Sequence, residues 1–271
     1  MITGIETGTF RTATVFQKIN SGLPDSYQST EFFVAASLEE LWIAAAAFHL
    51  VEKGEADLAK PLSLDWRQFR EGNYGTGRLR STPRAILMRL AHRANSEFRK
   101  QLIPPQPLHL LLRRSVEDSD NLATIVVADA LWRPKLQRVI DSWGMKDTIV
   151  YDPEMNGPVI TTAADVAKFL LDLKRGHLIW REHQRLLLSW MKKRTILNQE
   201  SQPNTILYKD GQYPTGGGTY FNRAGYVTTC YGDPYLFVML TKDYPGYNGR
   251  ISTRQKLITG DYTEEIAQRV I

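Results

Sequence analysis

The stretch Ala36–Gly54, ASLEELWIAAAAFHLVEKG, constrains the fold more than any other part of the chain. Its helix propensity is high, and a glycine stops it. Its middle, Leu41, Trp42, Ile43, Ala44 to Ala47 and Phe48, is apolar nearly all round. A surface helix shows one apolar stripe, whereas a helix apolar on every side has to be wrapped on every side. The rest of the chain must supply those partners, and 271 residues suffice for a sizeable core. Ser37 and Glu40 stand three residues apart at the start of this helix, so they share a face and can touch.

Strand signals flank it. Phe10–Lys18 (FRTATVFQK) is β-branched and partly alternating, Asn20-Ser21-Gly22 reads as a turn, and Ser26–Val34 reads as a second strand. Further strands are expected at Thr205–Tyr208, Thr219–Ala224 and Leu236–Thr241, with a turn at Gly216-Gly217-Gly218. Between them lie helix signals. Thr82–Leu102 carries Pro83 in its first turn and many Arg and Lys residues. Leu108–Val116 and Leu122–Trp132 are split by Asp118-Ser119-Asp120-Asn121, and Tyr151–Pro158 is a loop. Thr161–Arg175, Arg181–Lys193 and a short final Thr263–Val270 complete the helices. Strands at both ends and helices between them predict an α+β fold, an antiparallel sheet flanked by helices with an inserted all-α lobe. Residues 1–36 and 195–271 would form the split α/β lobe. Residues 37–194 would form the helical lobe, including a basic insertion at 82–103.

Composition narrows the function classes. The chain is 42% hydrophobic and 23% charged, which is ordinary globular usage. Its net charge of +5 is spread along the chain, and no nucleic-acid motif accompanies it, so no nucleic-acid partner is expected. The lone Cys230 excludes an internal disulfide framework and a cysteine-based zinc site. His49, His92, His109, His177 and His183 show no metal-binding spacing, so neither metal nor cofactor is expected. The longest apolar run, Leu41–Leu50, falls short of the roughly 18–20 residues that span a bilayer. No signal peptide is legible in residues 1–20, which predicts a cytoplasmic location for the chain as written. The location would be periplasmic or extracellular if a leader precedes it. Nothing in the sequence speaks to oligomeric state.

Four segments carry a more specific pattern. They are Phe33-Val34-Ala35-Ala36-Ser37-Leu38-Glu39-Glu40-Leu41, Ser119-Asp120-Asn121, Asp152-Pro153-Glu154-Met155-Asn156 and Arg223-Ala224-Gly225-Tyr226. In this order, across nearly the whole chain, they resemble the penicillin-recognising serine hydrolases, class A β-lactamases in particular. That family is marked by S-x-x-K, S-D-N and K-T-G, and by a loop of the form E-P-E-L-N. The resemblance implies the β-lactamase/transpeptidase-like fold and a site for a small-molecule or peptide-like substrate.

The resemblance also assigns roles. Ser37 falls on the nucleophile, Ser119 on the group relaying a proton to the leaving group, and Asn121 on a binder of the substrate amide. Asp152 takes the place of the glutamate that activates water, and Asn156 keeps the loop's asparagine. Arg223 would hold a substrate carboxylate, Gly225 would give room for close backbone approach, and the Tyr226 N–H would join that of Ser37 in stabilising an oxyanion. Three places depart from the pattern: Glu40 stands for the lysine of S-x-x-K, Asp152 for glutamate, and Arg223-Ala224 for Lys-Thr. Ser37 with Glu40 also spells S-x-x-E, a capping box that needs no chemistry.

Two functional readings follow. One is a serine acyl hydrolase or acyltransferase with altered machinery, Glu40 or Asp152 as base, and weak or no β-lactamase activity. The other is a catalytically inactive descendant that binds a peptide-like ligand or a protein partner through the same cleft.

Overall fold

The computed structural model describes residues 10–20, 22–63, 105–151, 158–197, 203–215, 218–232 and 234–243. The segments expected as the basic helix Thr82–Leu102 and the final helix Thr263–Val270 lie outside the described residues, as does the Gly216-Gly217 turn.

The main sheet has six antiparallel strands in the order β2-β1-β10-β9-β8-β7. They are β1 (Phe10–Lys18), β2 (Asp25–Tyr27), β7 (Lys192–Leu197), β8 (Pro203–Thr215), β9 (Gly218–Thr228) and β10 (Pro234–Asp243). The strand from the start of the chain, β1, pairs with β10 along its whole length. Two short pairs stand apart: β3 (Phe32–Val34) with β6 (Ile160–Thr162), and β4 (Pro61–Leu62) with β5 (Gln106–Pro107). Six helices accompany them among the described residues: α1 (Glu39–Glu52), α2 (Leu108–Asp118), α3 (Asn121–Ala130), α4 (Arg133–Ser142), α5 (Ala163–Arg175) and α6 (Arg181–Ser189).

Helix α1 is wrapped as its composition demands. Leu41 to Phe48 are all buried, with α2, α3, α4 and α6 around them. Trp42 meets Phe169 of α5 edge-on, and Phe48 stacks on His183 and Trp190. Helix α5 packs on β10 and β1, so this part of the 37–194 stretch lies on the sheet. The Tyr226 hydroxyl donates to the Leu170 carbonyl there.

Several expected elements differ in extent. Ser26–Val34 is not one strand. Gln28 takes a left-handed φ of 48°, and the Glu31 N–H closes a turn onto its carbonyl, separating β2 from β3. The helix expected to reach Lys193 stops at Ser189, and the basic run that follows extends as β7 against β8. Strands β8 and β9 form a long hairpin paired from Thr205↔Thr228 to Thr215↔Gly218, well beyond the Thr205–Tyr208 segment expected from pattern. Helix α4, with a proline in its first turn, lies where no helix was expected.

Gly225 is fixed by strand packing. A Cβ there would lie 2.0 Å from the Leu207 carbonyl oxygen and 2.7 Å from Tyr208 Cα on β8. Neither atom is the end of a flexible side chain, so the hairpin itself would have to shift. Gly225→Ala should therefore lower unfolding stability by about 1–3 kcal/mol, read as a lower denaturant midpoint.

Candidate active site

The site is built around a strained turn. Residues Ala36–Leu38 form a single 3-10 turn leading into α1, and Ala36 has φ 54°, a left-handed value that a side chain disfavours. Such strain persists where the surroundings over-determine the backbone. Here they do so from three directions. The Ala35 N–H donates to the Val159 carbonyl at 2.8 Å. Buried Asn222 on β9 donates from Nδ2 to the Val34 and Ala35 carbonyls at 2.7 and 3.0 Å, while its Oδ1 accepts the Thr241 N–H at 3.2 Å. Gly211 on β8 is packed so closely that a Cβ would sit 2.8 Å from the Ser37 nitrogen and 3.1 Å from that of Leu38.

Ser37 is buried inside this turn and caps nothing, since the N-cap of α1 is Leu38 and has no side-chain cap. The capping-box explanation of Ser37 thus fails on position. Its hydroxyl instead lies beside the Glu40 carboxyl and favours its ionised form. Glu40 is 1% exposed, and its partner is Lys209 of β8, also 1% exposed, with Nζ 2.5 Å from Oε2. The approach is off-axis for a hydrogen bond, so charge rather than direction holds the pair. Burial pushes the Glu40 carboxyl up to about 7, against the opposing pull of Lys209 and the Ser37 hydroxyl. Burial likewise pulls the Lys209 amine below its usual range, with Glu40 resisting.

The ammonium of Lys209 also donates to the Val116 carbonyl at 2.6 Å and to the Ser119 Oγ at 2.5 Å. Ser119 has a left-handed φ of 52° where α2 ends. Asp120 starts α3, its Oδ1 accepting the N–H groups of Leu122 and Ala123 at 3.0 and 3.4 Å. Its other oxygen pairs with Arg114 at 2.5 Å, and Arg114 in turn donates to Gln106 at 2.7 Å. The Ser119-Asp120-Asn121 corner is thus locked from both sides, with Asn121 half-buried in the first turn of α3.

Three of the expected residues, Ser37, Glu40 and Ser119, therefore meet around Lys209. Asp152 and Asn156 lie outside the described residues. The base of their segment is nonetheless defined. Gln137 accepts the Val150 and Tyr151 N–H groups at 2.7 and 3.1 Å, and Ile149 and Ile160 exchange backbone hydrogen bonds.

The Arg223–Tyr226 segment is placed differently from expectation. On paired antiparallel strands, opposite residues share a face and successive residues alternate. Lys209 opposes Ala224 and Gly211 opposes Asn222, so this face looks onto Ser37. Arg223 opposes Asp210 on the other face, where its Nε donates to Oδ1 at 2.6 Å and its guanidinium lies 4.7 Å over the Tyr208 ring. Gly225 meets β8, and it is Gly211 that meets the Ser37 amide. Tyr226 sits in a central strand between Leu207 and Leu236, its ring buried in the core and burial pushing its phenol up. A central strand's N–H groups serve the ladder, which leaves the Tyr226 N–H no oxyanion role.

The residue missed from sequence is Lys209. Its signal was Lys209-Asp210-Gly211, which keeps the lysine and glycine of K-T-G while changing the middle residue. Asn222 carried no motif signal. Among the described residues, no group of three His, Cys, Asp or Glu could hold a metal ion, and no helix is long and apolar enough to cross a membrane.

An antiparallel sheet with helices packed on it, a serine in the turn that opens the buried α1, and S-D-N at the junction of α2 and α3 fit the expected β-lactamase-like fold. The chain belongs to the β-lactamase enzyme family, whose model matches residues 5–260. Among solved structures it is similar to a PBP-A variant captured as an acyl-enzyme complex with penicillin-G, at 21% identity and TM-score 0.66, covering 95% of this chain and 92% of that one. It is also similar to a β-lactamase from Xanthomonas campestris pv. campestris, at 17% identity and TM-score 0.68, covering 97% and 92%. A β-lactamase from Chitinophaga pinensis matches at 16% identity and TM-score 0.66, covering 93% and 94%. No curated protein matches the chain.

The buried pair gives a stability prediction with a sign. Lys209→Met strands Glu40 without its counter-charge, which should cost about 3–5 kcal/mol where Glu40 is ionised. The Lys209 charge holds the Glu40 carboxyl down, so without it the carboxyl takes up a proton at a higher pH than in the parent, and the loss should shrink as pH falls from 9 to 5. The double variant Lys209→Met with Glu40→Gln should recover most of it at pH 8, measured by chemical denaturation.

Proposed function

We propose that the chain is a serine acyl hydrolase or acyltransferase acting on amide or peptide-like substrates, with weak or no β-lactamase activity. The observation that carries this reading is the contact chain Ser37–Glu40–Lys209–Ser119, in which Glu40 titrates near neutrality. A carboxylate at its ordinary pKa of about 4 is a poor base for a serine hydroxyl. At about 7 it is matched to the work.

In this reading Ser37 Oγ attacks the substrate carbonyl carbon and passes its proton to Glu40. The Ser37 N–H, in the turn that opens α1, donates to the developing oxyanion. Ser119 gives its hydroxyl proton to the leaving group and is re-protonated through Lys209 and Glu40. The acyl ester on Ser37 is then resolved by water or by an acceptor nucleophile, with Asp152 or Glu40 taking the proton. Asn121 and Asn156 would bind the substrate amide. Asp152 is one methylene shorter than glutamate, which supports slow water activation. With Glu40 in place of lysine, it supports weak action on β-lactams.

A second reading has its own supporting observation. The Lys209 ammonium already donates to Ser119 and the Val116 carbonyl and is ion-paired with Glu40, an engaged arrangement that suits a binding cleft as well as a catalyst. A fluorophosphonate probe separates the two. It should add to Ser37, seen as a mass shift that Ser37→Ala abolishes. The labelling rate should rise with pH through an apparent pKa near 7, because the base form of Glu40 is the ionised one. Glu40→Gln should flatten that profile and slow labelling at least tenfold, within the roughly 10²–10⁴ range general-base catalysis supplies. No Ser37 adduct with either a fluorophosphonate or a fluorescent penicillin would favour the binding reading.

A further inference from the structure

We propose that oxyanion stabilisation in this site depends on Asn222, a positioning residue that seats the Ser37 turn on β9. This rests on the serine acyl-transfer reading above and adds to it a residue that touches no substrate.

Asn222 is fully buried, and its amide is engaged with backbone on both sides. Nδ2 donates to the Val34 and Ala35 carbonyls at 2.7 and 3.0 Å, and Oδ1 accepts the Thr241 N–H of β10 at 3.2 Å. Two carbonyls demand the NH2 group and an N–H demands the oxygen, so the amide has one orientation. An ionised carboxylate or an aliphatic side chain has no donor for either carbonyl.

Those two carbonyls belong to successive peptides. The Val34–Ala35 peptide is held at both ends, its carbonyl by Asn222 and its N–H by the Val159 carbonyl at 2.8 Å. The Ala35–Ala36 peptide is held at its carbonyl by Asn222 and by the Leu38 N–H at 3.3 Å. The third peptide, Ala36–Ser37, carries the N–H that would meet the oxyanion. Its carbonyl accepts the Glu39 N–H, so in a trans peptide the Ser37 N–H points the other way, out of the helix start.

Between the second and third peptides stands Ala36, whose left-handed φ of 54° is unfavourable for a residue with a side chain. Asn222 supplies a hold on that conformation from outside the turn. Opposite Asn222 on β8 is Gly211, whose missing side chain leaves room for the Ser37 nitrogen. Across the β8–β9 pair, one side chain draws the turn in and one absent side chain lets it seat. Without the Asn222 amide the turn relaxes off β9 and the Ser37 N–H loses its aim. Glu40, three residues on in α1, stays beside the Ser37 hydroxyl. The loss therefore falls on oxyanion stabilisation rather than on nucleophile activation.

The test uses the full chain with a neutral acyl-peptide phenyl ester and the matching thionoester. Each transfers its acyl group to Ser37 Oγ while phenol leaves with the serine proton, and mass spectrometry follows both adducts. Sulfur accepts hydrogen bonds more weakly than oxygen, so a seated oxyanion donor favours the ester. With each rate divided by that of free hydroxide, the parent should prefer the ester by about tenfold or more. Asn222→Ala should slow the ester by about tenfold or more and the thionoester much less, so that the preference collapses. Ala36→Gly added to that variant should restore part of the preference, since glycine adopts a left-handed φ without penalty. If the alanine variant does not fold, Asn222→Ser, which keeps one hydroxyl donor, carries the same measurement. A merely structural role would lower both rates alike and leave the preference unchanged, and that result overturns the inference, as does a glycine that restores nothing. A fluorophosphonate on the parent chain separates the other failures. If it does not label Ser37, the acyl-transfer reading falls and this inference falls with it. If it labels Ser37 while neither ester reacts, or while the parent shows no preference, this inference alone is overturned.

Discussion

The buried pair of Glu40 and Lys209 joins the two layers of the molecule. Glu40 is fixed to α1, the most enclosed of the described helices, and Lys209 to β8. Removing two charges from water costs several kcal/mol each, and their attraction repays this only with close approach and further hydrogen bonds. The conditions are met on one side: the charges approach to 2.5 Å and Lys209 has two more acceptors, whereas Glu40 Oε2 has no hydrogen bond of its own among the described residues. Apolar residues would fill the same volume without the desolvation cost. The pair therefore makes better sense as a setting for Ser37 than as a source of stability.

The turn that carries Ser37 shows the same logic in the backbone. A left-handed alanine is unfavourable on its own, by roughly 1–2 kcal/mol. It is held because Asn222, Val159 and the bare backbone of Gly211 leave it no alternative. The restraints come from β9, from the segment entering β6 and from β8, all distant in sequence. The Ser37 amide is thus aimed by the completed sheet, and α1 alone could not present it this way.

This explains which parts were legible beforehand. Helix α1 was readable because an all-apolar segment has one physical outcome, and β1 because alternation is local. Ser119-Asp120-Asn121 was readable because its residues are contiguous and its helix flanks are strong. Lys209 was not, because what identifies it is register across β8 and β9, a non-local property. Arg223-Ala224-Gly225 and Lys209-Asp210-Gly211 both spell a cation two residues before a glycine. Only pairing shows that Lys209 and Gly211 face Ser37 while Arg223 faces away. Strand β7 was hidden for a related reason: Lys192, Lys193 and Arg194 are ordinary helix formers locally, and pairing with β8 overrides that preference.

Placing the carboxylate on the helix and the ammonium on the strand has a consequence for proton transfer. A lysine in the helix next to Ser37 would have to lose its proton before it could act as base. Glu40 begins as a partly ionised acceptor, and the energy of that ionised form depends on how near β8 brings Lys209. Closer approach stabilises the anion and weakens it as a base, whereas separation raises its affinity for the Ser37 proton and weakens the pair. The packing of β8 on the Ser37 turn, which the absent side chain of Gly211 permits, sets the position of the amide on the same strand that brings Lys209 to Glu40. In the proposed mechanism one close contact between a strand and a helix start would therefore bear on both nucleophile activation and oxyanion stabilisation.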